Sequence, residues 1–198
     1  MCIRDRYLTP GHHLLVGADA LAFLRNRHGV GDGSDLARIG SQQQYLSSLL
    51  RTIKSSSTLS DPTKVYGLAQ AVAQNITPST SLRGADTLVS LALALKDIDL
   101  SKVVFVSYPV TAYVDDPNKV QPVDDLAVQL VERIATDQPF TLDAGATTTG
   151  STVEGEAAAD PDAPATPAPT DSPETPDVIE GLQGQTAAEQ TCANPFSE

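Results

Sequence analysis

GADALAFLRNRHGVGDGSDLARIGSQQQYLSSLL, residues 17–50, decides the fold of this chain because it holds two helical patterns joined by a glycine-rich turn. Apolar spacing predicts a first helix over residues 18–27. Three glycines within Gly29–Ser34 predict a loop, since glycine is unfavourable inside a helix. Ser34 is a suitable N-cap for a second, amphipathic helix that ends near Lys54. We expect its buried stripe to be Leu36, Ile39, Leu46, Leu49, Leu50 and Ile53.

Arginine is concentrated around this glycine-rich turn, although the protein as a whole is acidic. Arg25 and Arg27 precede the turn, and Arg38 lies four residues before Gln42 in the second helix. Guanidinium groups are planar, permanently charged forks that match phosphate oxygens. Asp35 falls in the first turn of the second helix, where a negative charge is favourable. The cluster therefore predicts an anion site, with phosphate as the best match.

Each of these residues also has a purely structural interpretation. Arg25 and Arg27 are two positions apart, so they can serve one site only if the helix ends there. Otherwise one of them forms a surface ion pair with a neighbouring aspartate. Arg38 and Gln42 share a helix face that could simply be solvated. Asp35 could orient the arginines, help to hold a divalent cation, or only favour the helix start.

The rest of the predicted domain alternates helices with one hydrophobic strand. Asp61 and Pro62 predict a helix start, with an N-cap followed by proline at the first helical position. Further helices are predicted over residues 84–96 and 123–134, and KVVFVSYPV, residues 102–110, predicts a strand. We therefore expect an α/β fold in which layered helices surround a partial β-sheet.

Charge divides the chain at about residue 140. Residues 1–140 contain all 13 Lys and Arg residues and 14 of the 25 Asp and Glu residues, and residues 141–198 contain only acidic charges. Sequence with repeated prolines and acidic residues cannot bury enough apolar surface to offset chain entropy. We therefore expect residues 7–140 to form the domain and residues 141–198 to be a disordered acidic tail, interrupted by the apolar Val178–Leu182.

Several function classes are disfavoured by what the chain contains. It has no tryptophan and no basic face, so we expect no binding to nucleic acid. His12 and His13 have no Cys or carboxylate partners at metal-ligand spacing, so we predict no metal site within this chain. Cys2 and Cys192 lie at opposite ends and give weak grounds for a disulfide. No apolar run is long enough to span a bilayer, and no signal peptide is visible.

The first six residues, MCIRDR, lack the character of a secretory segment. They resemble a non-native scar of the kind found on truncated reading frames, and they are left out of the fold prediction. We expect the natural protein to begin further upstream, so that this chain is its carboxy-terminal part.

The order of motifs resembles the LytR-CpsA-Psr family of bacterial cell-envelope proteins. The resemblance is carried by an apolar run ending in R-x-R-H, a G-D-G-S-D turn and the pattern L-x-R-I-x-x-Q-Q. It is close over residues 8–50, and the order of elements persists to about Pro139. Many family members have arginine where this chain has Ser41. The resemblance implies that residues 7–140 are the carboxy-terminal part of the family's catalytic domain.

The activity that the resemblance implies is phosphotransfer, in which a glycopolymer passes from a polyprenyl pyrophosphate carrier to peptidoglycan. By the resemblance, Arg25, Arg27 and Arg38 are the catalytic residues, which bind the pyrophosphate and stabilise charge in the transition state. Gln42 is expected to contact the same pyrophosphate, and Asp35 is a weaker candidate for orienting the arginines.

The resemblance also implies parts that lie upstream of this chain. These are the ligands of a divalent cation, expected to be Mg²⁺, and a membrane anchor that places the domain at the extracellular face of the cell membrane. The chain alone is then expected to be inactive and poorly stable, with an exposed sheet edge. The lipid would occupy an apolar groove, for which Leu21, Leu24, Leu46 and Leu50 are candidates, although core packing explains these residues equally well.

A second class of function fits the same residues. In this alternative the chain is a non-catalytic envelope module, whose arginine site binds lipid phosphate or polyanionic glycopolymer without turning it over. Ser41, in place of the usual arginine, favours this alternative. Turnover of a lipid-linked pyrophosphate by the complete protein separates the two.

Overall fold

The structure is a computed structural model that describes eight segments of the chain. They are residues 2–3, 6–9, 11–55, 61–77, 79–80, 84–144, 146–154 and 177–194. Helices and short strands both occur within these segments, so the predicted α/β class is confirmed.

The helices match the sequence-based bounds to within two residues. They are α1 (Gly17–Arg25), α2 (Asp35–Ser55), α3 (Pro62–Asn75), α4 (Ala85–Asp97) and α5 (Asp124–Ala135), with a short 3-10 helix at Leu100–Lys102. Local capping explains two of the starts. The Asp61 side chain accepts from the Thr63 N–H at 2.9 Å and from the Lys64 N–H at 3.4 Å. The Ser34 hydroxyl oxygen accepts from the Ala37 N–H at 3.2 Å.

The strands are short and pair two by two. They are β1 (Cys2–Ile3), β2 (Arg6–Tyr7), β3 (Val104–Val106), β4 (Val110–Tyr113), β5 (Asp116–Pro122), β6 (Phe140–Leu142), β7 (Ser151–Val153), β8 (Asp177–Ile179), β9 (Gly184–Thr186) and β10 (Thr191–Ala193). The pairs β1–β2, β3–β9, β4–β5 and β7–β10 are antiparallel, and β6–β8 is parallel.

The strand predicted over residues 102–110 is interrupted. β3 ends at Val106, and β4 begins at Val110, after the buried Pro109. Proline has no N–H to give to a ladder, so the hydrophobic run cannot continue as one strand through this position.

The carboxy-terminal part differs from the expected disordered tail. The proline-rich residues 155–176 lie outside the described residues, so their disorder stays a prediction. Residues 146–154 and 177–194, however, fold onto the domain, because their strands β7 to β10 pair with one another or with β3 and β6. The prediction of disorder used the composition of residues 141–198 as a whole. It therefore did not distinguish these two stretches, whose residues form the strands β7 to β10.

A small apolar cluster holds the last strands in place. Its buried members are Leu130 of α5 with Ile179 and Leu182, and partly buried Leu126 and Phe140 pack against them. The apolar interruption at Val178–Leu182 therefore contributes to the core of the domain. Apolar burial of this kind contributes about 25 cal/mol per Å² of area removed from water.

The buried face of α2 is not the predicted leucine stripe. Leu46 and Leu49 are 46% and 42% exposed, whereas the small or polar side chains of Ala37, Ser41, Gln43 and Ser47 are buried, as is Gly40. The reason is close contact with the carboxy-terminal strands, where a large side chain has no room. No helix in the described segments has the length and hydropathy needed to cross a membrane.

Candidate functional site

Helix α1 ends at Arg25, as a shared arginine site requires. The backbone N–H of Asn26 donates to the carbonyl of Phe23 at 3.1 Å, and the Asn26 side chain accepts from the Gly29 N–H at 3.3 Å. The chain leaves the helix at this point. Arg25 and Arg27 are therefore not held on opposite faces of one helix, and this part of the prediction is confirmed.

Two arginines converge on one carboxylate. Arg27 Nη1 lies 3.8 Å from Asp35 Oδ1, and Arg38 Nη2 lies 3.2 Å from the same oxygen. The three side chains are about half exposed, so these ion pairs add little to stability. The structural alternative of an ion pair with a neighbouring aspartate is thus realised for Arg27. In the same geometry, Asp35 faces both guanidinium groups, as expected of a residue that orients the two arginines.

The other two predicted site residues lie differently. Arg25 is exposed at the end of α1 and forms no ion pair with another described residue. Gln42 directs its side-chain Nε2 to the carbonyl of Leu24 at 3.3 Å, so it ties α2 to the end of α1. This bond uses one of the two N–H donors of the Gln42 amide, and the other remains for a ligand. The structure brings together Arg27, Asp35 and Arg38, with Gln42 beside them on α2.

Arg38 carries a donor with no protein partner. Its Nε is buried, and it has no hydrogen-bond acceptor in the described part of the chain. A buried donor left unpaired costs about 1–3 kcal/mol. Arg38 therefore retains hydrogen-bonding capacity, in addition to the Nη2 that faces Asp35.

Asp32 belongs to the turn rather than to the arginine cluster. Its carboxylate accepts from the Ser34 backbone N–H at 2.9 Å. Hydrogen bonds from the Ser34 side chain and then from its backbone lower the pKa of Asp32 below the ordinary value. The carboxylate is thus kept ionised and engaged within the glycine loop, defined here as residues 29–34.

The glycine loop is joined to the carboxy-terminal strands. The Gly31 N–H donates to the carbonyl of Asn194 at 3.0 Å, and the Asn194 N–H donates to the carbonyl of Gly150 at 2.8 Å. A Cβ at Gly31 would lie 2.7 Å from Gly150 Cα. Sequence reasoning missed these contacts, because Gly31 lies more than 100 positions from both Gly150 and Asn194. The only sequence signals were the glycines and the apolar interruption in the tail.

A buried polar network fixes the opposite face of α2. Gln185 donates through Nε2 to the Ser47 hydroxyl at 2.6 Å and accepts from the Thr191 hydroxyl at 2.8 Å. Gln43 accepts from the Thr148 hydroxyl at 3.3 Å. Paired polar side chains in a low-dielectric interior favour one specific arrangement. The network therefore sets the position of α2, and with it the position of Arg38.

Arg51 extends the same attachment toward the end of α2. Its Nη1 donates to the carbonyls of Ala187 at 2.9 Å and Glu189 at 2.5 Å. Burial lowers the pKa of Arg51, and the negative charge of Glu154 acts in the opposite direction. Both of its contacts are to backbone, so Arg51 is a structural arginine and not part of the candidate anion site.

The arginine cluster is unsuited to a metal ion. Among the described residues there is no group of three or more His, Cys, Asp and Glu side chains placed to hold a metal. Asp35 already faces two guanidiniums, which would repel a divalent cation. The residues of this cluster fit an anion and not Mg²⁺.

None of the four leucines considered for a lipid groove lines either of the two pockets described below. Leu21 and Leu46 are 45% and 46% exposed on α1 and α2. A small pocket elsewhere is lined by residues that include Leu36, Tyr108, Pro109 and Leu126. A shallow polar groove between α5 and β8 is lined by residues that include Arg133. The candidate anion site is thus an open surface cluster.

Comparison with known families matches residues 4–137 to the LytR_cpsA_psr family. The chain is also 36% identical, over 102 residues, to the cell wall biosynthesis protein LcpA of Corynebacterium glutamicum. The aligned region is 52% of this chain but only 19% of that protein, so the chain spans a small part of the relative that it matches. No solved structure matches the chain.

Proposed function

Because the chain belongs to the LytR-CpsA-Psr family, we propose that it is part of a phosphotransferase of the cell envelope. The similarity to a cell wall biosynthesis protein supports a role in the assembly of cell-wall glycopolymers. The substrates proposed are a glycopolymer linked to a polyprenyl pyrophosphate carrier and, as acceptor, peptidoglycan. The location proposed is the extracellular face of the cell membrane, held there by an anchor outside this chain.

In the proposed reaction, a hydroxyl of peptidoglycan attacks the phosphorus atom that bears the glycopolymer. A new P–O bond joins polymer and peptidoglycan, and the pyrophosphate P–O bond breaks. Polyprenyl phosphate leaves with the electron pair, and the proton of the hydroxyl passes to solvent. Negative charge spreads over the phosphoryl oxygens in the transition state, so positioned guanidiniums lower the barrier.

One observation supports the proposal above all others: Arg27 and Arg38 reach the same oxygen atom, Asp35 Oδ1. An oxyanion placed at this point is therefore within reach of two cationic forks. A phosphate oxygen there would take the place that the carboxylate oxygen holds. The Nε of Arg38 is buried, so it would bind a second oxygen only after the side chain turns toward the ligand. We assign Arg27 and Arg38 to pyrophosphate binding. Arg25 and Gln42 are proposed to join them once ligand is present.

The divalent cation implied by the family is proposed to be Mg²⁺ with ligands outside this chain, since the arginine cluster does not fit it. The chain alone is therefore proposed to bind a pyrophosphate without turning it over. We expect turnover only from the complete protein.

A non-catalytic envelope module remains the second candidate, and Ser41 favours it. The Ser41 side chain is buried, and its hydroxyl donates to the Ala37 carbonyl at 3.4 Å, so position 41 offers no group to a phosphate. Such a module would hold lipid phosphate or polyanionic glycopolymer by Arg27 and Arg38 alone.

The test is turnover of a lipid-linked pyrophosphate by the complete protein, with Arg38→Ala as variant and Arg133→Ala as control. A phosphotransferase loses turnover in Arg38→Ala and keeps it in Arg133→Ala, because Arg133 lies on α5 and pairs with Asp177. Binding of the substrate by the unmodified protein, with no release of polyprenyl phosphate, would instead establish the binding module.

A further inference from the structure

Three hydrogen bonds centre on Asn194, and one of them joins the carboxy-terminal segment to the glycine loop. Asn194 accepts through its carbonyl from the Gly31 N–H at 3.0 Å and donates its own N–H to the Gly150 carbonyl at 2.8 Å. Its side-chain oxygen accepts from the Thr152 hydroxyl at 3.2 Å. We refer to Gly150 and Asn194 together as the clip. The clip links β7, the end of β10 and the glycine loop.

Packing at the clip leaves little room for a side chain at Gly150. A Cβ added to Gly150 would lie 3.1 Å from Gly31 Cα and 3.2 Å from both Ala37 Cβ and Val30 Cγ1. Val30 and Ala37 are fully buried. Gly150 therefore contacts the glycine loop and the first turn of α2 at the same point.

These two contacts lie next to the two arginines that converge. Val30 follows Arg27 by three residues, and Ala37 immediately precedes Arg38. Glycine-rich backbone has a large conformational entropy when it is not held, so a loop with three glycines does not define the distance between its flanking residues by itself. Contact of both Val30 and Ala37 with Gly150 does define this distance.

We propose that the clip is a positioning element for the arginine cluster: Gly150 and Asn194 hold the glycine loop against α2 at the separation at which Arg27 and Arg38 reach one oxyanion. The identity of the oxyanion rests on the proposed function. The placement of the glycine loop against α2 rests only on the contacts described above. Residues from the acidic carboxy-terminal segment thus help to build an anion site that contains none of their side chains.

The test compares Gly150→Ala with Gly181→Ala in this chain. Both glycines have positive φ, +79° and +82°, so the backbone strain introduced by a Cβ is matched. At Gly181 the nearest atom to the added Cβ is Leu126 Cδ2 at 3.7 Å, an ordinary contact. Only Gly150→Ala pushes against the glycine loop. The probe is farnesyl pyrophosphate, a short soluble polyprenyl pyrophosphate, titrated by calorimetry.

Two readouts separate positioning from general stability. Hydrogen exchange at the Gly31 amide should become faster in Gly150→Ala and not in Gly181→Ala. Affinity for farnesyl pyrophosphate should fall at least about tenfold in Gly150→Ala and change less than about twofold in Gly181→Ala, since small misplacements of binding groups are costly. Equal affinities, or unchanged exchange at Gly31, would overturn the proposal.

The outcomes also distinguish this proposal from the proposed function. If the unmodified chain does not bind farnesyl pyrophosphate, but exchange at Gly31 responds to Gly150→Ala, the clip is supported and the assignment of the ligand fails. If Gly150→Ala does not fold, Asn194→Pro is the second variant. It removes the N–H donated to Gly150 and the side-chain oxygen that accepts from Thr152, and it keeps the carbonyl that accepts from Gly31. It must give the same faster exchange for the proposal to stand.

Discussion

Arg38 bears on both interpretations of the arginine cluster, the surface ion pair and the pyrophosphate site. Its Nη2 pairs with Asp35 at 3.2 Å, and its Nε remains without a protein acceptor in the described segments. The ion pair with Asp35 uses Nη2 and does not require Nε. A planar fork that grips two oxygens of a pyrophosphate would use both.

Arg38→Lys is expected to weaken the affinity of this chain for farnesyl pyrophosphate by about 1–3 kcal/mol, because lysine keeps the charge and loses the fork. Arg133→Lys is the matched control, since Arg133 is also a helical arginine paired with an aspartate, Asp177. Calorimetric titration of both variants measures the difference. Small and equal effects would mean that the cluster is only a solvated surface.

Gln185 carries the polar contact between α2 and β9. It is fully buried, and its removal leaves the hydroxyls of Ser47 and Thr191 without this partner. Gln185→Ala should therefore lower the free energy of unfolding by about 1–3 kcal/mol. Gln183→Ala, two residues away and exposed, should change it by less than about 0.5 kcal/mol. Urea titration gives both values, and indistinguishable variants would contradict the assigned role of the network.

At the scale of elements, α2 has two faces with separate tasks. Gln42 contacts Leu24 of α1, and Arg38 pairs with Asp35 beside the glycine loop. Gly40, Gln43 and Ser47 lie on the face toward the carboxy-terminal segments. The small residues allow backbone to approach: a Cβ at Gly40 would lie 2.9 Å from the Thr149 carbonyl oxygen. These contacts hold α2 in place on one face, and the face that carries Arg38 remains accessible to a ligand.

Gly40→Ala and Gly67→Ala should change stability in opposite directions, although both replace a glycine inside a helix. At Gly67 of α3 nothing lies within 4 Å of an added Cβ, so alanine should stabilise by about 0.5–1 kcal/mol through its helix propensity. At Gly40 the added Cβ meets backbone, and overpacking should destabilise by about 1–3 kcal/mol. Denaturant midpoints of the two variants test this, and a stabilising Gly40→Ala would refute the close approach.

Local signals made the elements predictable, whereas distant pairing did not. The starts of α2 and α3 followed from Ser34 and Asp61, whose caps involve neighbours within three residues. The buried face of α2 could not be predicted, because Gln43 and Ser47 are paired with residues 105 and 138 positions away. Likewise, spacing placed Arg27, Asp35 and Arg38 near one turn, but only the fold shows that both guanidiniums reach one oxygen.

At the scale of the whole molecule, aspartates that accept hydrogen bonds from residues two positions ahead make stability depend on pH. Hydrogen bonds from Ser34 lower the pKa of Asp32, those from Ser101 lower the pKa of Asp99, and the backbone N–H of Asn118 is the main cause of the lowered pKa of Asp116. A lowered pKa in the folded state stabilises the fold above the ordinary carboxyl value near 3.8. That contribution disappears as pH falls through the lower, folded-state value.

The thermal midpoint should therefore stay nearly constant from about pH 7 to pH 5 with respect to these groups, and fall below about pH 4 as they take up protons. Asp32→Asn removes one of the three contributions and should make the acid decline shallower. Calorimetric melting across this range is the measurement. A midpoint that rises on acidification would contradict the sign of these shifts.

The three strand pairs β3–β9, β6–β8 and β7–β10 each include at least one strand from residues 177–194. Residues 177–194 are thus equivalent to a docked peptide that the intervening chain supplies at an effective concentration of order millimolar. Polypeptides 1–154 and 177–198, produced separately, should find each other when mixed, with a gain of ellipticity and of protection at Gly31. A break of the chain within residues 155–176 should then leave a two-piece protein in which the strand pairs β3–β9, β6–β8 and β7–β10 still form.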